Sequence, residues 1–222
     1  MLNQIKIKIN FKLLPTPVAG LALGISSLGA LWESIYGFNG YVQNTTSTIA
    51  GVILLTLLLR FIIHPQTLWN DLSHHVVGSV VPTFAMATMV VSSSLTAIYP
   101  ATASFIWLAA IVLHVVFLVI FLYHRCQDIQ LQHMVPSWFV PPIGLIVAVF
   151  TCPQPELFKP ICYAILAFGI VNYAVLLPVM INRLLGLYDP TITGNRRSII
   201  RHRTIDDRGY LYGTVTLIPL RF

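Results

Sequence analysis

Hydroxyl side chains recur on three apolar stretches of this sequence: Ser26 and Ser27 on the first, Thr83, Thr88, Ser92, Ser93 and Ser94 on the second, and Ser137 at the mouth of the third. A hydroxyl donates one hydrogen bond and accepts two, so it can replace part of an anion's hydration without holding the ion firmly. Conduction needs sites that release as readily as they bind. For any single one of these residues the plainer reading is stronger, because Ser and Thr in apolar helices often bond the preceding turn or a neighbouring helix. What sets the three stretches apart is proline.

"LLPTPVAGLALG" (13–24), "HVVGSVVPTFAM" (75–86) and "HMVPSWFVPPIG" (133–144) each place proline and small residues in the first turns of an apolar segment. His75 and His133 lead two of them, followed by Ser79 and Ser137, then Pro82 and Pro141. Proline in one first turn is ordinary, since the missing donor is not needed there. Here the pattern repeats at every second segment, while "TIAGVILLTLLLRFII" and "SFIWLAAIVLHVVFLVIFLY" between them have no proline at all. Proline frees a backbone carbonyl that lipid cannot satisfy, so the broken helices should face protein or water and the smooth ones can face lipid. Amide ends of half-helices attract anions. Gly20, Gly24, Gly29 and Gly78 are expected to permit close helix approach.

Ionisable groups at membrane depth are costly and need individual readings. Glu33 is placed at the outer end of the first segment, reaching the interface. His114 reads as a neutral packed or hydrogen-bonded histidine, and Arg60 as a side chain snorkelling from its helix end. The proline-marked segments carry no acidic pair at mid-depth, where cation paths and proton relays place carboxylates, so anions are the better guess. The rival from another class is a membrane-embedded enzyme with iron held by His64, His74, His75, His124 and His133. Only His74 and His75 are tightly paired, with no HxxHH or HxxxH box, so no metal or other cofactor is expected. Cys126, Cys152 and Cys162 show no paired spacing and suggest neither a disulfide framework nor a metal site. Asn44-Thr45-Thr46 matches a glycosylation sequon and is placed in an outside loop.

These residues must be held by helices. Of 222 residues, 56% are apolar and only 9% charged, and the mean hydropathy is +0.80. So few charges could not solvate the outside of a soluble fold of this size. Runs long enough to cross a bilayer fall at about 14–38, 48–63, 76–99, 104–123, 135–151 and 158–187. The fold class expected is all-α: a polytopic membrane protein of repeated helical hairpins, with odd helices proline-kinked around a path and even helices outside. Lys6, Lys8 and Lys12 precede the first span, Arg60 ends the second, Arg125 follows the fourth, and Arg183 with the arginines after it closes the sixth, which puts both termini in the cytoplasm. The net charge of +6 thus needs no nucleic acid; membrane lipid is its partner. The basic start "MLNQIKIKINFKLLP" lacks a small-residue cleavage site and reads as a short lead-in, not a signal peptide.

"LPTPVAGLALGISSLGALW", "VVGSVVPTFAMATMVVS" and "PSWFVPPIGLIVA" resemble the first, third and fifth helices of the tellurite-resistance/dicarboxylate transporter family, which includes the SLAC-type anion channels. The resemblance runs over about 14–190, and the Pro-Ser-Trp-Phe-Val-Pro-Pro segment is its most specific part. It implies a fold of ten helices in five hairpins, with odd helices around a central anion pore, commonly as trimers. The pore-lining candidates carried onto this sequence are Pro17, Gly20, Gly24, Ser26, Ser27, Pro82, Thr83, Thr88, Ser92, Ser137, Pro141 and Pro142. The family's occluding phenylalanine lies on its ninth helix, so no residue here matches it. Tellurite, sulfite, halides and small dicarboxylates all suit a cavity of hydroxyls and amide dipoles.

Three hairpins are accounted for, giving a transmembrane domain over 1–190, truncated after six of the family's ten helices. After "LLGLYDPTITG" the composition changes to "NRRSIIRHRTIDDRGYLYGTVTLIPLRF", where the family enters a seventh apolar helix. We expect a shift of reading frame there; the alternative is a genuine basic cytoplasmic tail over 191–222 that binds anionic lipid. Translating the codons in the other two frames distinguishes them, and finding no apolar continuation would sink the first. Three hairpins leave an inner ring open, so little selective anion flux is expected of this chain alone.

Overall fold

In a computed structural model the described residues are 14–74, 76–126, 136–184, 199–205 and 211–217. The chain divides into two compact units, residues 1–178 and 179–222. The described part of the first unit is entirely helical, as the apolar runs require. It begins with α1 (Val18–Tyr36), whose opening turns are set by Pro15, Thr16 and Pro17: their carbonyls accept from the Val18, Ala19 and Gly20 N–H groups at 2.9–3.1 Å. Gly37, in the left-handed region at φ 65°, closes the helix. Asn39 and Gly40 also have positive φ, which folds the chain straight back into α2 (Tyr41–Ile63).

The helix α2 starts seven residues earlier than hydropathy places the second span, so the sequon lies on a helix and not in a loop. The physical reason is local. Thr45, Thr46 and Thr48 turn their hydroxyls onto carbonyls of the preceding turn, at 2.7–2.9 Å to Tyr41, Val42 and Asn44, and a polar stretch so satisfied stays helical. A short helix that hydropathy does not reveal, α3 (Pro65–Ser73), follows at once with proline in its first turn.

The third span comes in two pieces, α4 (Val77–Val80) and α5 (Thr83–Ser94), with the break at Val81 and Pro82. By contrast α6 (Pro100–Cys126) runs 27 residues unbroken. The fifth span, expected as a helix kinked at its prolines, is broken further into a succession of short pieces: a 3-10 turn Pro136–Phe139, α7 (Val140–Ile143), a second 3-10 turn Gly144–Ile146, and α8 (Val147–Phe150). Among the described residues five helical segments are long and apolar enough to cross a membrane, and the fifth span is a further, shorter apolar segment. The chain is a multi-pass helical membrane protein. The last long helix, α9 (Pro155–Leu184), kinks at Phe158, where φ is −100° and ψ 15°.

Two clusters make the core of the first unit. One joins α1, α2, α5 and α6 through Ala19, Ala22, Leu54, Leu57, Phe84 and Phe117, with the Phe61 and Phe84 rings edge-on at 5.5 Å. The other joins α5, α6, the fifth span and α9 through Met89, Trp107, Leu145, Ala148 and Ile165. Lipid tails are as apolar as leucine, so these clusters stabilise by close packing and not by escape from water. Gly29 and Gly78 bear out the expectation of close approach: a Cβ on either would overlap Thr46 or the Leu72 carbonyl. Gly20 and Gly24 do not, since both look onto open space.

In the second unit the described residues include the end of α9 and two antiparallel strands, β1 (Ile199–Ile205) and β2 (Leu211–Leu217), paired from Ile199 opposite Leu217 to Ile205 opposite Leu211. The stretch read as a basic tail thus holds two paired strands.

Candidate functional site

Two proline breaks meet inside the first unit. Ser79, one turn ahead of Pro82, and Ser137, one turn ahead of Pro141, occupy equivalent places in successive repeats, and their hydroxyl oxygens lie 2.6 Å apart. The Ser79 hydroxyl also reaches the Val76 carbonyl at 2.7 Å, and a carbonyl can only accept. That consumes the one Ser79 proton, so Ser137 is the donor to Ser79.

The smooth helix beside the breaks supplies what they lack. Along α6, Trp107 and His114 are fully buried and seven residues apart, hence on one face. Trp107 Nε1 donates to the Ala148 carbonyl at 3.0 Å, and His114 Nε2 meets the Pro141 carbonyl at 2.8 Å. The two acceptors are also seven residues apart, so the donors and acceptors match two turns at a time in antiparallel order. Because the acceptor is a carbonyl, Nε2 carries a proton and donates it to Pro141. Gly144 lets the elements close up: a Cβ there would lie 2.6 Å from Met86 Sδ and 3.5 Å from His114 Cε1. His114 is therefore the hydrogen-bonded histidine that its residue type implies; Trp107 carries the same role but looks like any core aromatic in sequence.

The twelve candidate residues fall into distinct places. On α1, Ala19, Ala22, Ser26 and Gly29 form the buried stripe, while Pro17, Gly20, Gly24 and Ser27 lie on the opposite, open face. Pro82, Thr83, Pro141 and Pro142 are buried at the breaks, and Ser92 is buried in the last turn of α5. The hydroxyls of Ser26, Thr83, Thr88 and Ser92 bond carbonyls three or four residues back, at 2.7–2.9 Å. Thr88 also borders a cavity of about 470 Å³ between α2, α5 and α6 whose other lining is apolar. Ser137 bonds across to Ser79 of another span, and Ser93, read with the same hydroxyls, accepts from Gln43 Nε2 of α2 at 3.2 Å.

Charged groups are used structurally. Arg60 does not snorkel: it is buried, donates from Nη1 to the Thr16 hydroxyl at 2.6 Å, and pairs through Nη2 with Asp71 Oδ2 at 3.3 Å, while Thr16 bonds the same carboxylate. An acid on α3, a helix not foreseen, is what holds the guanidinium inside. Arg125, at the end of α6, donates to the Ser73 carbonyl at 2.6 Å, so both smooth helices anchor α3. Glu33 does not simply face the interface either; its carboxylate accepts from the Gly40 and Val42 N–H groups at 2.7 and 3.2 Å, capping α2. Among the described residues no group of three or more His, Cys, Asp and Glu side chains is placed to hold a metal; His75 and His133 lie outside those residues.

Two relatives from Methanocaldococcus jannaschii are similar in sequence. The uncharacterized transporter MJ0762 is 31% identical over 100 residues, and the uncharacterized transporter MJ0576 is 29% identical over 103. Each match covers 43% of this chain and 29% of the relative, so the matched part spans less than a third of their length. A family model described as voltage-dependent anion channel (SLAC1) matches residues 16–191, from the proline-marked start of α1 to past the end of α9. With most of its length so matched, the chain belongs to the voltage-dependent anion channel family.

Proposed function

We propose that the first unit forms part of a transmembrane path for small anions of the tellurite, sulfite, dicarboxylate or halide class, with α1, α4–α5 and the fifth span towards the path and α2, α6 and α9 outside. The family match over residues 16–191 carries this reading. The physical support is that proline breaks fall on the third and fifth spans while α2 and α6 run smooth, each breaking point being covered by protein. The open stripe Pro17, Gly20, Gly24 and Ser27 is the wall that needs least rearrangement to admit an ion, since it is uncharged and its glycines face open space. Ser26, Thr83, Thr88 and Ser92, whose hydroxyls bond carbonyls of the preceding turn, shape that wall more than they ligate. Both termini are cytoplasmic in this proposal, on the distribution of lysine and arginine, and the working assembly is a trimer set in lipid.

Thiol accessibility tests the path without depending on flux. In a background with the native cysteines replaced, Gly24→Cys and Ser27→Cys should react with a membrane-impermeant anionic thiosulfonate, and added small anions should slow them. Leu55→Cys, on the lipid-facing side of α2, should not react. Equal rates at all three positions, or protection by cations alone, would overturn the proposal.

A further inference from the structure

Spacing separates the three cysteines, yet the fold brings two of them together. Cys152 sits in the turn that ends the fifth span, directly after Thr151, whose N–H and hydroxyl both bond the Val147 carbonyl, at 3.1 and 2.9 Å. Cys162 lies on α9 beyond the Phe158 kink, on the stripe Phe158, Cys162, Ile165 and Gly169. That stripe faces inward: Ile165 and Gly169 are buried, the Phe158 ring stands 5.2 Å from Trp107, and a Cβ on Gly169 would run into Ile146. Cys152 and Cys162 both pack on the Trp107, Leu145, Ala148 and Ile165 cluster, so the fold places the two thiols beside the same few side chains. Both are free and half-buried, so a small reagent can reach them.

We propose that Cys152 and Cys162 are a redox pair that closes as an intramolecular disulfide, tying the end of the fifth span to α9. The reaction is exchange with an external disulfide, a glutathione-type compound or a protein oxidant. One cysteine thiolate attacks the donor, forming a mixed disulfide and releasing one donor thiol; the second cysteine displaces the other. Two S–H bonds are lost here, one S–S bond forms, and the donor disulfide is reduced to two thiols that take up the protons. The bond fixes the most broken span at its end, ten residues from α9's partner cysteine along the chain and across a turn stiffened by Pro153 and Pro155. In the topology proposed above this turn lies opposite the cytoplasm, on the side where disulfides persist. The pairing itself does not rest on that topology or on anion transport.

The test uses the purified 222-residue protein in detergent, treated with oxidised glutathione, denatured, and labelled with a polymer maleimide. Labels per chain should fall from three to one, with Cys126 the remaining thiol, and a peptide map should show Cys152 linked to Cys162. Cys126→Ser should leave the link intact, and Cys152→Ser should abolish it. Three labels after treatment, separate glutathione adducts on the two cysteines, or a link through Cys126 would overturn the proposal. The wild-type peptide map decides the matter even if a variant fails to purify.

Discussion

The helix α6 and the fifth span lie side by side and solve the same problem in opposite ways. One runs 27 residues as an unbroken α-helix; the other changes between 3-10 and α geometry three times in 15 residues. A broken backbone in a membrane must find donors elsewhere. Here the unbroken neighbour lends them, from Trp107 and His114, to Ala148 and Pro141. Irregularity is tolerated where regularity stands next to it, and the pair is the stable unit.

Breaking the smooth partner should cost most. Val112→Pro, at a lipid-exposed site of α6, removes a helix hydrogen bond and clashes with the preceding turn, a loss of about 3 kcal/mol or more. It should lower the thermal midpoint in detergent well below that of Pro142→Ala in the span already broken; the reverse order would contradict the division of labour. Closing the gap between the two should come next. Gly144→Leu puts a side chain where Met86 and His114 stand, and overpacking of this kind costs about 1–3 kcal/mol. Unfolding in a denaturing detergent titration checks it, and a neutral result would mean that the two elements are not held together at Gly144. The smallest effect belongs to the lent donors. His114→Phe and Trp107→Phe should each cost about 1 kcal/mol, in the range of interhelical hydrogen bonds in membranes. A double-mutant cycle sharpens the comparison: a coupling near zero means that the donors act separately, whereas a large one means that they hold the span as one body.

Much of this was legible in the sequence. Long apolar runs give membrane helices because no other backbone arrangement satisfies itself in lipid, and α1, α2, α5, α6 and α9 follow. The prolines also marked real breaks at Pro82 and Pro141, although hydropathy alone makes the fifth span look continuous. The candidate site was legible as a set of residue types but not as a set of places. Twelve residues with one expected role divide into an open face on α1, hydroxyls bonded to the preceding turn, prolines buried at the breaks, and Ser137, which joins Ser79 of another repeat. Nothing in a spacing of 58 residues indicates that Ser79 and Ser137 will touch, and the same holds for Arg60 and Asp71, which lie on different helices.

The sequence by itself determined that the chain crosses the membrane repeatedly, that its backbone breaks at Pro82 and Pro141, and which family it resembles; it missed the kink of α9 at Phe158, and α1, expected to kink, runs unbroken. Those properties depend on composition and on local backbone chemistry, both of which act over a few turns. Only the tertiary structure decided which carbonyl each donor meets, why Arg60 is inside, and that Cys152 and Cys162 pack on one cluster. Such pairings depend on how helices cross, and a crossing is set by side-chain packing between segments that are distant along the chain.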